Sequence, residues 1–396
     1  MGLSMVDKVI LHIGMHKTGS TSIQEALKDY DDGKTFYAPF QEANHSAAIR
    51  SAFSKRPEDF HSWRKLGLDR SEVLSRRNQY RSQLVSDLKR KDRDQLIISG
   101  EDIGLLEEAG KHELVELLNR HAKIIQVVCY IRAPMEFAAS YLQQQIKTGR
   151  KSLPELIKTD YKKRLTFFKE HLPTDQIIVK SFNRQTLQRG CVVSDFCRTC
   201  GIDSTQVPKS RLNESLSAPA LKLLYSFNRS NGCYQGDLVT HRAHHLLIQW
   251  IAHDYRTGPG IKQSRFLPMS DFSELDYLRD KFGLHFEPPN PQIHSGDQSL
   301  EAWLTDTSDI DMEPLNQRLA QIGVNSQNKS VDFLLNRLYY HALVVTALRH
   351  QQVRIQPNMI SRGLLRDVIK SLFIATFNTI RRRIFTPAHR RADRNG

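Results

Sequence analysis

One lysine and several small residues follow the first apolar run of the chain, in a spacing that suits phosphate binding. Residues 9–13 are apolar and rich in β-branched side chains, which predicts a buried strand. Gly14 ends this run, and the loop that follows contains Lys17, Thr18, Gly19, Ser20 and Thr21. A loop between a strand and a helix directs backbone N–H groups and the positive end of the helix dipole at one point. The segment therefore predicts a phosphate-binding loop.

The nucleoside triphosphatases supply one pattern for such a loop. Gly14 and Gly19 have the separation of the two Walker A glycines, but Ser20 stands where the Walker lysine belongs. Lys17 instead lies two residues before Gly19. The order Lys-Thr-Gly-Ser-Thr after a strand resembles the 5′-phosphosulfate loop of sulfotransferases that use 3′-phosphoadenosine 5′-phosphosulfate (PAPS). A tight turn with a solvated lysine is the alternative interpretation.

A second candidate anion site follows the most strand-like stretch of the chain, residues 124–131. Arg132 ends this stretch, Pro134 begins a predicted helix, and Ser140 lies within the first two turns of that helix. A guanidinium can bind a phosphate through two parallel hydrogen bonds, and a serine hydroxyl can donate a third. The pattern resembles the 3′-phosphate motif of the same sulfotransferases. The alternative is an exposed arginine at a helix start with a surface serine.

The resemblance covers about residues 9–283 and is clear in the two motifs. It favours the bacterial and carbohydrate-type members, because the Gly-rich segment that closes over the nucleotide in the small-molecule enzymes is not found. It implies an α/β fold of the P-loop NTPase-like sulfotransferase type, with a parallel β-sheet flanked by helices. Independently of this resemblance, the alternation of strands and helices predicts a parallel sheet covered by helices on both faces. Residues 1–290 are predicted to form the PAPS-dependent sulfotransferase domain, and residues 291–396 a helical C-terminal extension.

The resemblance also implies a chemistry, which is the in-line transfer of a sulfuryl group from PAPS to a hydroxyl or amine without a metal. Lys17 would stabilise the leaving phosphate of adenosine 3′,5′-bisphosphate. A general base must take the acceptor proton. Glu101 is the predicted base, because it follows a strand, residues 96–99, that lies between the two motifs in the chain. His45, His16 and Asp102 are the rival bases. A solvated turn is the alternative reading of Glu101, and His12 is expected to be a buried core residue.

The formal net charge of +14 predicts an anionic partner and says nothing about the fold. The charge and the carbohydrate-type resemblance favour a saccharide or glycolipid as the acceptor. Residues 351–396 contain ten Lys and Arg residues against two acidic ones. A predicted amphipathic helix over residues 362–385 carries much of this charge, which is typical of binding to an anionic membrane surface. The alternative is that this helix packs against its own domain. No nucleic-acid partner is expected.

The five cysteines do not form the framework of a small disulfide-rich protein, and no secretory signal or membrane-spanning stretch is predicted. The expected location is therefore the cytoplasm, and the membrane interpretation of the C-terminal helix would place the protein at the membrane surface. Cys197 and Cys200 form one CxxC pair, but no second pair follows at zinc spacing, so no metal site is predicted.

Two other function classes compete with the sulfotransferase. A nucleotide kinase or NTPase with an atypical loop would need an aspartate at the end of a hydrophobic strand to hold Mg²⁺. A non-catalytic protein that binds an anionic membrane or nucleic acid would need aromatic residues interleaved with basic ones or a recognisable binding module, and the sequence shows neither outside its C-terminal tail.

Overall fold

The computed structural model describes residues 6–208, 215–231, 238–287 and 299–349. Within these residues the β-structure consists of β1 (Val6–His12), β2 (Thr35–Tyr37), β3 (Gln95–Ser99), β4 (Ala122–Ile131) and β5 (Ile177–Ser181). The strands form one parallel sheet in the order β2-β3-β1-β4-β5. Its central strands have buried apolar side chains on both faces, as in sheets covered by helices on each side. The predicted class, α/β with a parallel sheet flanked by helices, is confirmed.

The register of the sheet explains why separate segments of the chain meet at one edge. His12, the last residue of β1, is paired with Ser99 of β3 and with Val128 of β4. The loop after β1 and the residues after β3 therefore leave the sheet at the same level. The chain winds to one side of β1 through β2 and β3 and then crosses to β4 on the other side. Ligands of open parallel sheets bind at such a switch point, beyond the carboxyl ends of the strands.

The described helices connect and cover these strands. In chain order they are α1 (Ser20–Leu27), α2 (Ser46–Phe53), α3 (His61–Leu66), α4 (Arg70–Leu88), α5 (Glu108–Asn119), α6 (Pro134–Lys147), α7 (Tyr161–His171), α8 (Val192–Cys200), α9 (Ala218–Ser230), α10 (Leu238–Asp254), α11 (Leu275–Phe282), α12 (Leu300–Thr305), α13 (Glu313–Gln321) and α14 (Val331–Arg349). The helix that the sequence predicts from Pro134 is α6, which begins at that residue.

Helices α1 and α8 cover the sheet beside the loop. Ile23 and Leu27 of α1 share one buried cluster with Phe196 of α8 and Ile10 of β1. Burying an apolar side chain of this size contributes about 1.5–3 kcal/mol. The loop between β1 and α1 is thus held at both ends by packed elements.

Two compact units divide the chain. The first contains the described residues within 1–141, 154–214 and 266–294, and it holds the whole sheet. The second contains those within 142–153, 215–265 and 295–396, and its described elements are helices. The predicted domain of residues 1–290 includes residues 142–153 and 215–265, which fall in the second unit, where α9 and α10 pack against α14.

The predicted amphipathic helix over residues 362–385 lies outside the described residues. Among the helices that are described, none is both long enough and apolar enough to cross a membrane.

Candidate functional site

The loop after β1 lies against the end of β3, and two glycines allow it to do so. Gly14 and Gly19 have φ angles of +91° and +79°, in the left-handed region that favours glycine. A Cβ atom on Gly14 would lie 3.1 Å from Cα of Glu101, and one on Gly19 would lie 2.7 Å from Cγ1 of Val192. The two predicted loop glycines therefore hold the loop against the residue predicted as the base and against α8.

The hydroxyl groups of the loop have different positions. Thr18 Oγ1 and Ser20 Oγ are buried, and both donate to the carbonyl of Met15, at 2.7 Å and 2.9 Å. Thr21, at the start of α1, is exposed. The hydroxyls of Thr18 and Ser20 thus shape the loop from inside, whereas the resemblance implies that the hydroxyls of Ser20 and Thr21 surround the 5′-phosphate.

Backbone groups complete the loop. The N-cap residue of α1, Gly19, offers no side-chain hydrogen bond to the first turn. The first N–H groups of α1 can therefore donate to an anion. Lys17 has a φ of +65°, an uncommon conformation for a residue with a side chain. Such conformations cost of order 1–3 kcal/mol and cluster at functional sites. The Lys17 side chain itself is half-buried.

Arg132 joins the second predicted motif to the first. Its Nη1 donates to the backbone carbonyl of Lys17 at 2.7 Å, and its guanidinium lies over the ring of Phe182, 5.4 Å from the ring centre. A weaker contact of 3.4 Å joins Nε to Oε2 of Glu136. The structure therefore brings Arg132 and the lysine loop to one place. Ser140 is half-buried on α6, six residues after Pro134.

Glu101 lies just after the end of β3, against Gly14 of the lysine loop. Its side chain is 15% exposed, and burial together with neighbouring Asp102 raises its pKa to about 7. The nearby Ser20 hydroxyl and the charges of Arg164 and Lys17 oppose this rise in pKa. Glu101 is therefore both close to the lysine loop and able to change protonation state near neutral pH.

His16 stands between two carboxylates and an arginine. Its Nε2 is 3.5 Å from Oδ1 of Asp102 and 3.9 Å from Oε2 of Glu101. Its Nδ1 is 3.0 Å from Nη2 of Arg164. Burial and then the Arg164 charge lower the pKa of His16 to about 4, so the ring is neutral at neutral pH. Three of the predicted bases, Glu101, His16 and Asp102, thus form one cluster.

Arg164 contacts this cluster and is absent from the site residues predicted from the sequence. It is 3% exposed and lies on α7, with Nη1 donating to the carbonyl of Glu101 at 2.8 Å. The signal that points to α7 is the apolar spacing of Tyr161, Leu165 and Phe168, all fully buried. Nothing in that spacing indicates that Arg164 would be buried too.

His45, by contrast, belongs to the core. Its ring packs on Tyr37 and Phe40, with ring centres 4.4 Å and 5.0 Å away, and its Nδ1 accepts the N–H of Ser99 at 3.1 Å. Burial lowers its pKa to about 3. The structure therefore gives His45 a role in fixing the end of β3 and does not bring it into the carboxylate cluster. His12 is also buried, as expected, with Nδ1 2.7 Å from Oγ of Ser99.

The CxxC pair lies in the core. Cys197 and Cys200 are buried free thiols, and burial raises the pKa of Cys197 to about 11. Thiols of this kind are inert, since the thiolate is the reactive form. Within the described ranges, no group of three or more His, Cys, Asp or Glu residues is arranged to hold a metal ion.

Comparison with known proteins adds little to this geometry. No protein-family model matches the chain, and no solved structure matches it. An uncharacterized protein of Archaeoglobus fulgidus is 29% identical over 100 residues, which are 24% of this chain and 28% of that protein. The chain thus spans little more than a quarter of the length of this relative.

Proposed function

We propose that the protein is a PAPS-dependent sulfotransferase. The observation that carries this proposal is the hydrogen bond from Arg132 to the carbonyl of Lys17, which joins the two motifs that resemble the 5′-phosphosulfate and 3′-phosphate sites. A nucleotide with phosphates on both the 5′ and 3′ positions needs two such anion sites a short distance apart. The strand order and the loop at the switch point support a P-loop NTPase-like sulfotransferase fold.

Each group has a role in the proposed site. The ammonium of Lys17 and the first N–H groups of α1 bind the 5′-phosphosulfate, and Arg132 with Ser140 binds the 3′-phosphate. During transfer, the acceptor oxygen forms a bond to sulfur while the bond between sulfur and the bridging phosphate oxygen breaks. Lys17 stabilises the charge on that oxygen as adenosine 3′,5′-bisphosphate leaves.

Glu101 is the proposed general base, because it is the carboxylate against the lysine loop and its pKa is about 7. A base is most effective when its pKa lies near the working pH. The acceptor proton passes to Glu101 as the bond to sulfur forms. The acceptor is proposed to be a hydroxyl of a saccharide or glycolipid, from the positive charge of the chain and the carbohydrate-type resemblance.

A nucleotide kinase is the second candidate, and one observation favours it. Glu101 and Asp102 follow β3, which is the neighbour of β1, and a carboxylate at the end of a strand beside the phosphate loop could hold Mg²⁺. The two candidates differ in the nucleotide they need. A kinase requires a nucleoside triphosphate with Mg²⁺, whereas a sulfotransferase requires the 3′-phosphate of PAPS.

The test is incubation of the full chain with PAPS labelled in its sulfur, together with a panel of glycans and glycolipids. We expect label to move to at least one acceptor, and Lys17→Ala to stop the transfer. Lys28→Ala, which alters an exposed lysine just after α1, is the matched control and should transfer at the normal rate. Transfer of the γ-phosphoryl group from labelled ATP to an acceptor, with none from PAPS, would establish the kinase instead.

A further inference from the structure

A single buried guanidinium holds two parts of the carboxylate cluster. Arg164 lies on α7 and is 3% exposed. Its Nη1 donates to the backbone carbonyl of Glu101 at 2.8 Å, and its Nη2 lies 3.0 Å from Nδ1 of His16. A planar guanidinium that donates a hydrogen bond from each of its two Nη atoms fixes both partners in one orientation. The backbone at Glu101 and the ring of His16 are thus tied to the same group.

The direction of the second bond follows from chemistry. A guanidinium has N–H donors and no acceptor, so Nδ1 of His16 must accept the bond with its lone pair. A neutral imidazole with an accepting Nδ1 carries its proton on Nε2. That nitrogen is the one near the two carboxylates, 3.5 Å from Asp102 and 3.9 Å from Glu101. The ring can therefore donate toward the carboxylates.

The charged groups around His16 agree with a neutral ring. Arg164, Lys17 and His61 all oppose a positive charge on His16, and Asp102 favours one. Burial of the ring opposes the charge more strongly than any of these neighbours does. His16 is consequently a neutral donor at working pH.

We infer that Arg164 is a positioning residue that fixes His16 as the Nε2–H tautomer and holds the backbone of Glu101, which leaves Glu101 and not His16 to accept the proton. In this arrangement His16 cannot act as the base, because its Nδ1 lone pair is bound by Arg164 and its Nε2 already carries hydrogen. The kinetic part of this inference rests on the proposed function. The tautomer does not, since it follows from the geometry of the three residues.

The tautomer is measured directly by long-range ¹H–¹⁵N correlation spectra of the full chain with ¹⁵N-labelled histidine. The His16 signals are those that disappear in His16→Gln. We expect the wild-type ring to be neutral near neutral pH, with its proton on Nε2. A ring with its proton on Nδ1, a mixture of the two tautomers, or a doubly protonated ring overturns the inference. Because no substrate is present, this result stands even when no sulfuryl transfer is found.

The kinetic experiment compares Arg164→Met, Arg164→Lys and the control Arg50→Met. Arg50 is also a partly buried arginine that donates to a backbone carbonyl, that of Leu105 at 3.1 Å, and it is outside the cluster. We expect Arg164→Met to lower kcat about 10- to 100-fold by misplacing Glu101. We also expect it to move the acid limb of the pH profile to higher pH, because a positive charge that favours the Glu101 carboxylate is lost.

Arg164→Lys and Arg50→Met separate the positioning role of Arg164 from a general effect of replacing a partly buried arginine. Arg164→Lys keeps the charge and should restore the acid limb, while recovering only part of kcat. Arg50→Met should keep both the wild-type kcat and the wild-type profile. If Arg164→Met is folded by circular dichroism and shows wild-type kcat and pH profile, Arg164 is not a positioning residue. If Arg164→Met does not fold, the spectra of the wild-type ring alone decide the inference.

Discussion

Nη1 of Arg132 donates to the backbone carbonyl of Lys17 at 2.7 Å, which links two residues 115 positions apart in the chain. The link exists because β1 and β4 are adjacent parallel strands, so the segments that follow them leave the sheet at the same edge. Arg132 thereby supports the backbone of the lysine loop as well as offering its remaining N–H groups to an anion. The two phosphate sites of the proposed enzyme are therefore connected by a direct hydrogen bond between Arg132 and Lys17.

The first prediction concerns Lys17. Lys17→Ala should lower the rate of sulfuryl transfer by about 10²- to 10³-fold, because the leaving phosphate loses the cation proposed to stabilise it. The free energy of unfolding should change little, since the side chain is half-buried in a loop. Measurement of kcat and of urea denaturation checks both parts. A folded Lys17→Ala enzyme with near-normal kcat would remove the lysine loop from the mechanism.

The second prediction concerns the activity of Glu101→Gln. This change should preserve nucleotide affinity and abolish transfer, because the amide cannot accept the acceptor proton. In the wild type, kcat should fall as pH drops below about 7, where the Glu101 carboxylate becomes protonated. A pH profile of kcat, with calorimetry of nucleotide binding at each pH, gives the measurement. An active Glu101→Gln enzyme alongside an inactive His16→Gln enzyme would assign the base to His16.

The third prediction is the effect of Glu101 on stability. Burial raises its folded pKa to about 7, above the ordinary value of 4.5, so the unfolded chain loses this proton first as pH rises. Stability therefore falls between these two pH values and remains lower above them. Glu101→Gln should raise the free energy of unfolding by about 2–3 kcal/mol at alkaline pH, and the gain should vanish below about pH 4.5. Urea denaturation across this range measures the gain. Glu25→Gln, on the exposed side of α1, is the control. A gain that does not depend on pH would contradict the assignment.

The fourth prediction separates His45 from the groups proposed to be catalytic. His45→Ala should lower the free energy of unfolding by about 2–4 kcal/mol, because a buried ring and the acceptor for the Ser99 N–H are both lost. His45→Asn keeps an acceptor near the position of Nδ1 and should cost less. Both proteins should keep kcat under conditions in which they are folded. A folded His45→Asn protein with kcat reduced more than about 100-fold would make His45 a candidate base again.

The fifth prediction concerns the basic segment beyond the described residues. Full-length protein should pellet with anionic liposomes, high salt should weaken this binding, and deletion from Arg362 onward should abolish it. Each basic residue near an anionic surface contributes about 1 kcal/mol. Circular dichroism of the deletion variant shows whether the rest of the chain stays folded. If liposomes recover none of the full-length protein, or if the deletion unfolds it, the segment has no membrane role of this kind.

Local pattern was sufficient to find the elements that carry the two predicted anion sites. The apolar runs before Gly14 and before Arg132 are short and β-branched, and in the structure they are β1 and β4. Because parallel strands share a carboxyl edge, locating these strands also placed Glu101 near the lysine loop. The pairing of strand ends required no knowledge of individual side-chain contacts.

Burial of Arg164 and His45 was not predictable in the same way. Arg164 and His45 are both buried, although arginine is mostly exposed in folded proteins. Their positions depend on long-range contacts: Arg164 is hydrogen-bonded to the carbonyl of Glu101, and His45 is hydrogen-bonded to the N–H of Ser99. The directions of the Thr18 and Ser20 hydroxyls likewise depend on where the Met15 carbonyl points. No residue spacing in the chain encodes that information.

The most direct measurement of the proposed nucleotide site is calorimetric affinity for adenosine 3′,5′-bisphosphate, AMP and ADP without Mg²⁺. The bisphosphate should bind far more tightly than AMP or ADP, and Arg132→Ala should remove about 10- to 100-fold of that preference, because a charge-assisted hydrogen bond contributes roughly 1.5–3 kcal/mol. Arg120→Ala, which changes an exposed arginine at the end of α5, should leave it unchanged. Equal affinity for AMP and the bisphosphate, or binding that depends on Mg²⁺, would show that Arg132 and Lys17 do not form a PAPS site.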